Sequence, residues 1–435
     1  MKKLFALGMI GALTCASVSA QTIKQIPMDE EKYESFYLQH ISADGKYISG
    51  YATKTGQPVI VDWQNDNVKV FEKVMGAETP WVANNGAAVG YTREGSFKAS
   101  FATGECEVSN TTDENGIHGV YAAMSEDGTV IVGAYIDTLW QETACYWENG
   151  VRKDLPMPTA EEMGASVDGA RAKGISKDGN VIMGYISVSY TTMWWGAPFK
   201  NVFEPMVIWV RQTDGTYTCD PVCKDWIRLQ ADNEAQKNNP YKQFMPVAIS
   251  PNGQFVAVNI RDYYGDDDLW PTLKMGRYEV ATKKLEVFEV EDDDCQATAI
   301  ANDGTMVGRT DGQDRIGIIV RPEDKLPKAL YTVFGNSEFY YFDTFGEHEV
   351  TAISEDGRYI GGIGPVMKGE SIYPSGREAY VLDTKGDASA ISNVNTDQQG
   401  KAEYYTIDGR KSHAPAKGIN IVRTATGKTR KVLVK

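Results

Sequence analysis

Three kinds of residue in this chain have the chemistry to build a site. Acidic side chains come in two runs, Asp266-Asp267-Asp268 and Glu291 to Asp294, and several oxygen ligands in one short loop are what calcium uses. Neither run has EF-hand spacing, so a solvated acidic loop and no cofactor is the plainer expectation, with Ca2+ at Asp266, Asp267 and Asp268 as the alternative. Carboxylates also serve glycoside hydrolysis when two of them stand about 5 to 10 Å apart. Large aromatic residues crowd otherwise polar stretches: Trp140, Tyr190, Trp194, Trp195, Tyr263, Tyr264, Trp270 and Tyr373. Rings that a connection does not need for folding suit stacking on sugars or gripping a peptide; packing over neighbouring insertions is the alternative. Histidine is scarce, with only His40, His118, His348 and His413, which argues against a His-rich catalytic or zinc centre.

Other chemistries lack their signatures. The chain has no Gly-x-Ser-x-Gly elbow, phosphate loop, His-Glu-x-x-His or dinucleotide-binding glycine pattern. Cysteines Cys106, Cys145, Cys219, Cys223 and Cys295 follow the first twenty residues without zinc-ribbon spacing. Cys219 and Cys223 are near enough to pair, and isolated buried thiols are an equal reading. Charge is uneven: residues 401 to 435 carry nine Lys or Arg against Glu403 and Asp408, a net of +7, which leaves −22 of the chain total of −15 to the preceding part. So acidic a body excludes nucleic acid as a partner, because phosphates would be repelled.

The ends carry addresses. "MKKLFALGMIGALTCASVSAQT" has Lys2 and Lys3, an apolar run from Leu4 to Leu13, and small residues up to Ala20, the pattern of a secretory signal peptide spanning 1–20. Thr14 before Cys15 fits lipidation poorly. No later run approaches the roughly 20 apolar residues of a membrane span, so an exported chain, secreted, periplasmic or on the cell surface, is expected.

What positions candidate site residues is a repeat. "ISADGKYISG" from Ile41 recurs as "VANNGAAVG" from Val82, "MSEDGTVIVG" from Met124, "ISKDGNVIMG" from Ile175, "ISPNGQFVAV" from Ile249, "IANDGTMVG" from Ile300 and "ISEDGRYIGG" from Ile353. The starts lie 41, 42, 51, 74, 51 and 53 residues apart, a unit of about 40 to 50 with insertions. Each copy reads as a strand, an Asp-Gly or Asn-Gly turn with the positive φ a tight hairpin demands, and a Val/Ile-rich strand. A third strand tends to end on a large residue, as in "PVIVDW" (58–63), "TACYW" (143–147) and "PMVIW" (205–209), and a fourth follows in "VKVFEKV" (68–74), "KLEVFEV" (284–290) and "KALYTVF" (328–334). Four antiparallel strands repeated seven times predict an all-β, seven-bladed β-propeller over 21–395, with six or eight blades as neighbouring counts and separate β-sandwiches as the alternative fold.

The I-S-x-D-G-x-x-I-x-G unit followed by a strand ending in Trp resembles the HAF-type and WD40-like repeats of secreted bacterial propellers. The second copy departs from it with Asn84-Asn85, and the fifth lacks the closing glycine at Ala257-Val258. Residues 396–435, beyond a linker rich in Ser, Asp, Asn and Gly, form a separate small β segment. Tyr405, Gly409-Arg410, Lys417 to Val422 and Lys431 to Lys435 resemble the C-terminal sorting domain of the type IX secretion system of Bacteroidetes. That resemblance implies secretion machinery as a partner; a basic β appendage is the other reading.

In such a blade the Asp-Gly turns share one face, and the longer second-to-third connections share the other. Those connections hold the aromatic residues named above, within 136–142, 187–203, 261–271 and 365–377. The expected function is a binding or interaction module for glycan or protein on the long-loop face. A carbohydrate-active hydrolase or lyase, or a structural part of a surface assembly, is the alternative.

Overall fold

The computed structural model describes residues 22–76, 78–92, 95–109, 118–194, 197–222, 242–262, 272–290, 293–311, 315–334, 342, 348–366 and 376–385, and four short strands between 403 and 434. Seven antiparallel sheets follow one another along residues 23–384. The first blade is made of Phe36–Ile41, Tyr47–Ala52, Pro58–Asp62 and Asn67–Val70, in that order across the sheet. The next five occupy 78–109, 118–154, 166–221, 242–288 and 295–329. The seventh takes three strands from 349–383 and its fourth from Thr22–Ile26, which pairs with Gly376–Asp383. The ring is thus closed by the start of the chain, with Ile26 only 3% exposed and Lys24 paired to Asp66 of the first blade at 2.6 Å.

Seven apolar clusters hold the propeller, one at each junction of consecutive blades, the last joining Ile353 and Ile360 to Ala301 and Val307 of the sixth. Apolar side chains alternate along each strand with both sheet faces buried, so blade faces pack on each other and no single central core exists. Trp209 at the end of a third strand is fully buried and its Nε1 donates to the Pro156 carbonyl at 2.7 Å. Trp63 does the same with the Gly45 carbonyl, at 2.7 Å.

The repeated turn is explained by its serine and acid. In five blades the Ser Oγ, at Ser42, Ser125, Ser176, Ser250 and Ser354, is 0–1% exposed. It donates to the Asp or Asn two residues on at 2.5–2.8 Å and accepts the backbone N–H five residues on at 2.9–3.0 Å. The hairpin Gly has φ of 69–87° in all seven copies, a region open to glycine at little cost. Where the serine is replaced, at Ala83 and Ala301, the loop is one residue shorter: the backbone N–H bonds to the carbonyl four residues on instead of five. The serine is present where the extra residue leaves an N–H to satisfy.

Two expectations need correcting. Residues 328–334 were expected to form a fourth strand, but only Lys328–Ala329 is strand and Leu330–Phe334 is a helical turn, with Leu330 and Phe334 packed into the blade junction. The 187–203 stretch, expected as a loop, is a β-ribbon: Val181–Trp194 continues past its blade and pairs with Ala197–Phe203. Alternating Val, Tyr and Thr residues favour strand there.

The C-terminal strands form their own antiparallel sheet in the order Lys411–Ser412, Glu403–Thr406, Gly418–Arg423 and Thr429–Val434. Among the described residues no helix is long and apolar enough to cross a membrane.

Candidate binding site at the central channel

Every innermost strand carries a β-bulge. In six blades the extra residue stands three before the serine position: Gln39, Ala122, Lys173, Val247, Thr298 and Thr351, and in the second blade the slip falls between Glu78 and Trp81. A bulge leaves its residue unpaired and turns it off the ladder, so these six side chains line a channel of about 520 Å³ through the ring. The closing glycine of the repeat belongs to the same device. A Cβ at Gly50 would lie 1.8 Å from the Tyr37 carbonyl oxygen, and one at Gly133 1.7 Å from that of Val120; the bulge pushes that carbonyl against the second strand.

At the turn face, the variable residue of I-S-x-D-G forms the rim. Hydrogen bonds of 2.5–2.9 Å run from turn to turn around all seven junctions, from Glu355 N to Ala43 O, Asp44 N to Asn84 Oδ1 and Asn84 N to Glu126 Oε1 onward to Asn302 N and Glu355 O. Lys177 Nζ reaches Glu355 Oε2 at 2.7 Å. These residues stand in the fourth and seventh blades, three junctions apart, so the ion pair straps the mouth. Burial first, and then repulsion from Asp44 and Glu355 close by, push the Glu126 carboxyl upward, although it accepts the Asn84 N–H.

At the other mouth two arginine–carboxylate–tyrosine clusters face each other around the ring. Glu142 accepts both Arg171 Nε at 2.9 Å and Nη2 at 2.5 Å, and the Tyr185 hydroxyl at 3.1 Å. The Arg171 guanidinium also lies 5.9 Å from the Tyr91 ring centre. Glu349, 3% exposed, accepts Tyr37 OH at 2.7 Å, Arg315 at 2.8 Å and Arg377 at 2.9 Å, and pairs with Arg309 at 3.1 Å. Burial pushes the Glu349 carboxyl up, but the bonds from Arg377 and Tyr37 overcome it and hold it below its ordinary value. Burial raises both phenols, Tyr37 and Tyr185, beside their carboxylates. These hydroxyls therefore stay protonated, and each ring is fixed by its carboxylate. Deeper in, His40 lies against Trp81 with ring centres 3.8 Å apart and is pushed down to about 3 by burial; the imidazole is neutral at ordinary pH.

Of the aromatic residues expected to form a site, Trp140 is the one whose side chain is described. It is 79% exposed, at φ 63°, in a turn on the long-loop face. Asp137 Oδ1 accepts the N–H groups of Leu139 and Gln141, both at 2.8 Å, and Trp140 N donates to Asp137 O at 3.0 Å. Its ring meets His118 edge-on, centres 6.4 Å apart, outside the channel wall. Tyr190 and Trp194 lie on the ribbon strand, with their side chains outside the described residues. Trp195, Tyr263, Tyr264, Trp270, Tyr373, Asp266, Asp267, Asp268 and Cys223 lie outside the described residues altogether. Among the described residues no three His, Cys, Asp or Glu side chains gather for a metal, and Cys106, Cys145, Cys219 and Cys295 are free thiols. The channel residues are not marked by the recurrent Asp-Gly or Asn-Gly turn that dominates each copy. The variable residue beside it, and the one three before the serine, were the available signals.

No protein-family model matches the chain, and no curated protein matches it. Among solved structures, an oligogalacturonate lyase from Vibrio parahaemolyticus is similar over 83% of this chain and 97% of that one, at 13% identity and a TM-score of 0.49. The β-propeller domain of Cps50 (Swd1) from Myceliophteria thermophila is similar over 83% and 99%, at 8% identity and a TM-score of 0.47. TolB from Acinetobacter baumannii is similar over 69% of this chain at 12% identity and a TM-score of 0.37, and the chain spans 64% of that protein's length. Identities this low speak to fold and not to the residues of a site.

Proposed function

We propose that the chain is an exported, surface-displayed propeller that binds glycan or peptide on its long-loop face. The observation that carries this reading is the Asp137–Gln141 turn. A Trp in the left-handed region costs roughly 1–3 kcal/mol, and here two hydrogen bonds to one carboxylate hold Leu139 and Trp140 at 76% and 79% exposure. Rigid, solvent-facing apolar side chains of this kind are what a ligand would cover. Export follows the reading of residues 1–20 as a signal peptide and of 396–435 as a sorting-like segment. Cleavage after Ala20 would spare the closing strand, which begins at Thr22.

The test is a glycan and peptide array probed with the wild type and with Trp140→Ala. The variant is expected to lose at least tenfold in affinity with an unchanged melting temperature, since the side chain packs on little. Unchanged binding to every ligand recognised by the wild type would sink the reading; turnover of a polysaccharide would favour the hydrolase or lyase alternative.

A further inference from the structure

Inside the channel, Lys173 is the side chain whose chemistry the fold leaves unused. It is the bulge residue of the fourth blade, set on the wall between Ala172 and Gly174. Its side chain is exposed to the channel that it lines. Among the described residues its ammonium makes no hydrogen bond or ion pair. Two residues away, Arg171 is already committed to Glu142 through two bonds. The remaining acid in range, Glu204, is half-buried and makes no ion pair with it. Burial, followed by repulsion from Glu142, drives Glu204 toward its neutral form. Crowding by the channel wall and then Arg171 push Lys173 down, against a smaller upward pull from Glu204.

The geometry around the lysine suits one shape of ligand. The Lys177–Glu355 strap narrows the turn-face mouth, so entry is from the long-loop side, past Tyr37, Tyr91 and Tyr185. About 520 Å³ holds one or two sugar rings and no folded partner. The Gln39 Oε1 and Thr351 Oγ1 atoms of the same bulge layer are buried without a partner, and a modest rotation of either side chain would offer it to a ligand hydroxyl. Fixed tyrosine rings, a lone ammonium and spare neutral polar groups fit a polyhydroxylated ring that carries one negative charge.

From this we infer that the channel is a pit for the acidic end sugar of a glycan, with the Lys173 ammonium pairing to the sugar carboxylate. The inference rests on the glycan-binding reading above and adds the chemical class of the ligand. Titration calorimetry with cellobiouronic acid and with its neutral parent cellobiose tests it. The wild type is expected to prefer the acid by about ten- to hundredfold, the range for a charge-assisted hydrogen bond. Lys173→Gln is expected to erase that preference and Lys173→Arg to keep most of it. Equal binding of acid and neutral sugar by the wild type overturns the inference without needing any variant to fold. A preference that survives in Lys173→Gln overturns it too. In both cases glycan binding that depends on Trp140 would leave the proposed function standing.

Discussion

Replacing Ser42 by Ala tests the account of the repeated turn most directly. The Oγ atom is fully buried, donates to Asp44 at 2.7 Å and accepts Tyr47 N–H at 2.9 Å. Asp44 keeps the N–H of Lys46, at 2.9 Å, and reaches water, so its loss is small. The Tyr47 N–H lies in the blade and has nowhere else to go. A buried donor left unsatisfied costs about 1–3 kcal/mol. For a cooperative unit of this size, with about 2.1 cal/mol/K of unfolding entropy per residue, that corresponds to roughly 1–4 °C in melting temperature. Calorimetry on Ser42→Ala would read it. The decisive partner is Ser42→Ala combined with deletion of Lys46, which reproduces the four-residue loop found at Ala83 and Ala301. Removing the extra residue removes the orphaned N–H, so the double change is expected to melt closer to wild type than Ser42→Ala alone. An unaffected melting temperature in the single variant, or a further fall in the double one, would refute the reasoning.

Further outcomes follow from the channel and the closure. His40 stays neutral in the fold to about 3, whereas the unfolded chain takes that proton near 6.5; stability is whole above pH 6.5 and falls as pH drops toward 3, by up to about 2 kcal/mol at pH 5 at 1.36 kcal/mol per unit. Urea midpoints at pH 7 and 5 should therefore converge in His40→Gln, and an unchanged acid loss would exclude His40 as its source. Glu349→Ala leaves three guanidinium groups facing one another; because Arg315 and Arg377 reach water, the cost is expected near the low end of the ~3–5 kcal/mol for breaking a buried pair, read by denaturant unfolding, and no measurable loss would count against the cluster. Deleting Thr22–Ile26 strips the seventh blade of its outer strand and exposes the edge of Gly376–Asp383, so light scattering should show concentration-dependent association; a stable monomer would contradict closure by this strand.

Much of the fold is legible in the sequence because the blade is a local object. Asp356-Gly357 between "IS" and "RYIGG" specifies a hairpin through turn chemistry that needs only neighbours within five residues, and seven such hairpins at blade spacing leave few architectures. The fourth strand of the last blade was not legible: Thr22–Ile26 carries no mark of its partner, which lies some 350 residues away in the chain. Leu330–Phe334 misled for a related reason, since apolar residues fit a strand as well as a one-turn helix until the neighbouring blade chooses.

The candidate site divides along the same line. Trp140 could be picked out from its polar loop, because exposure of an aromatic residue in a short turn is a local property. Lys173 and the tyrosines at the mouth could not, because a lysine in a strand looks like any solvated edge until a bulge turns it into the lumen. The sequence by itself determined the hairpins, their number and the faces to which turns and long connections belong. Only the tertiary structure decided which residues meet across the ring: the Lys177–Glu355 strap, the Glu349 cluster and the place of Lys173 in the channel wall. Those depend on closure of seven blades, and closure is a long-range condition that no single repeat encodes.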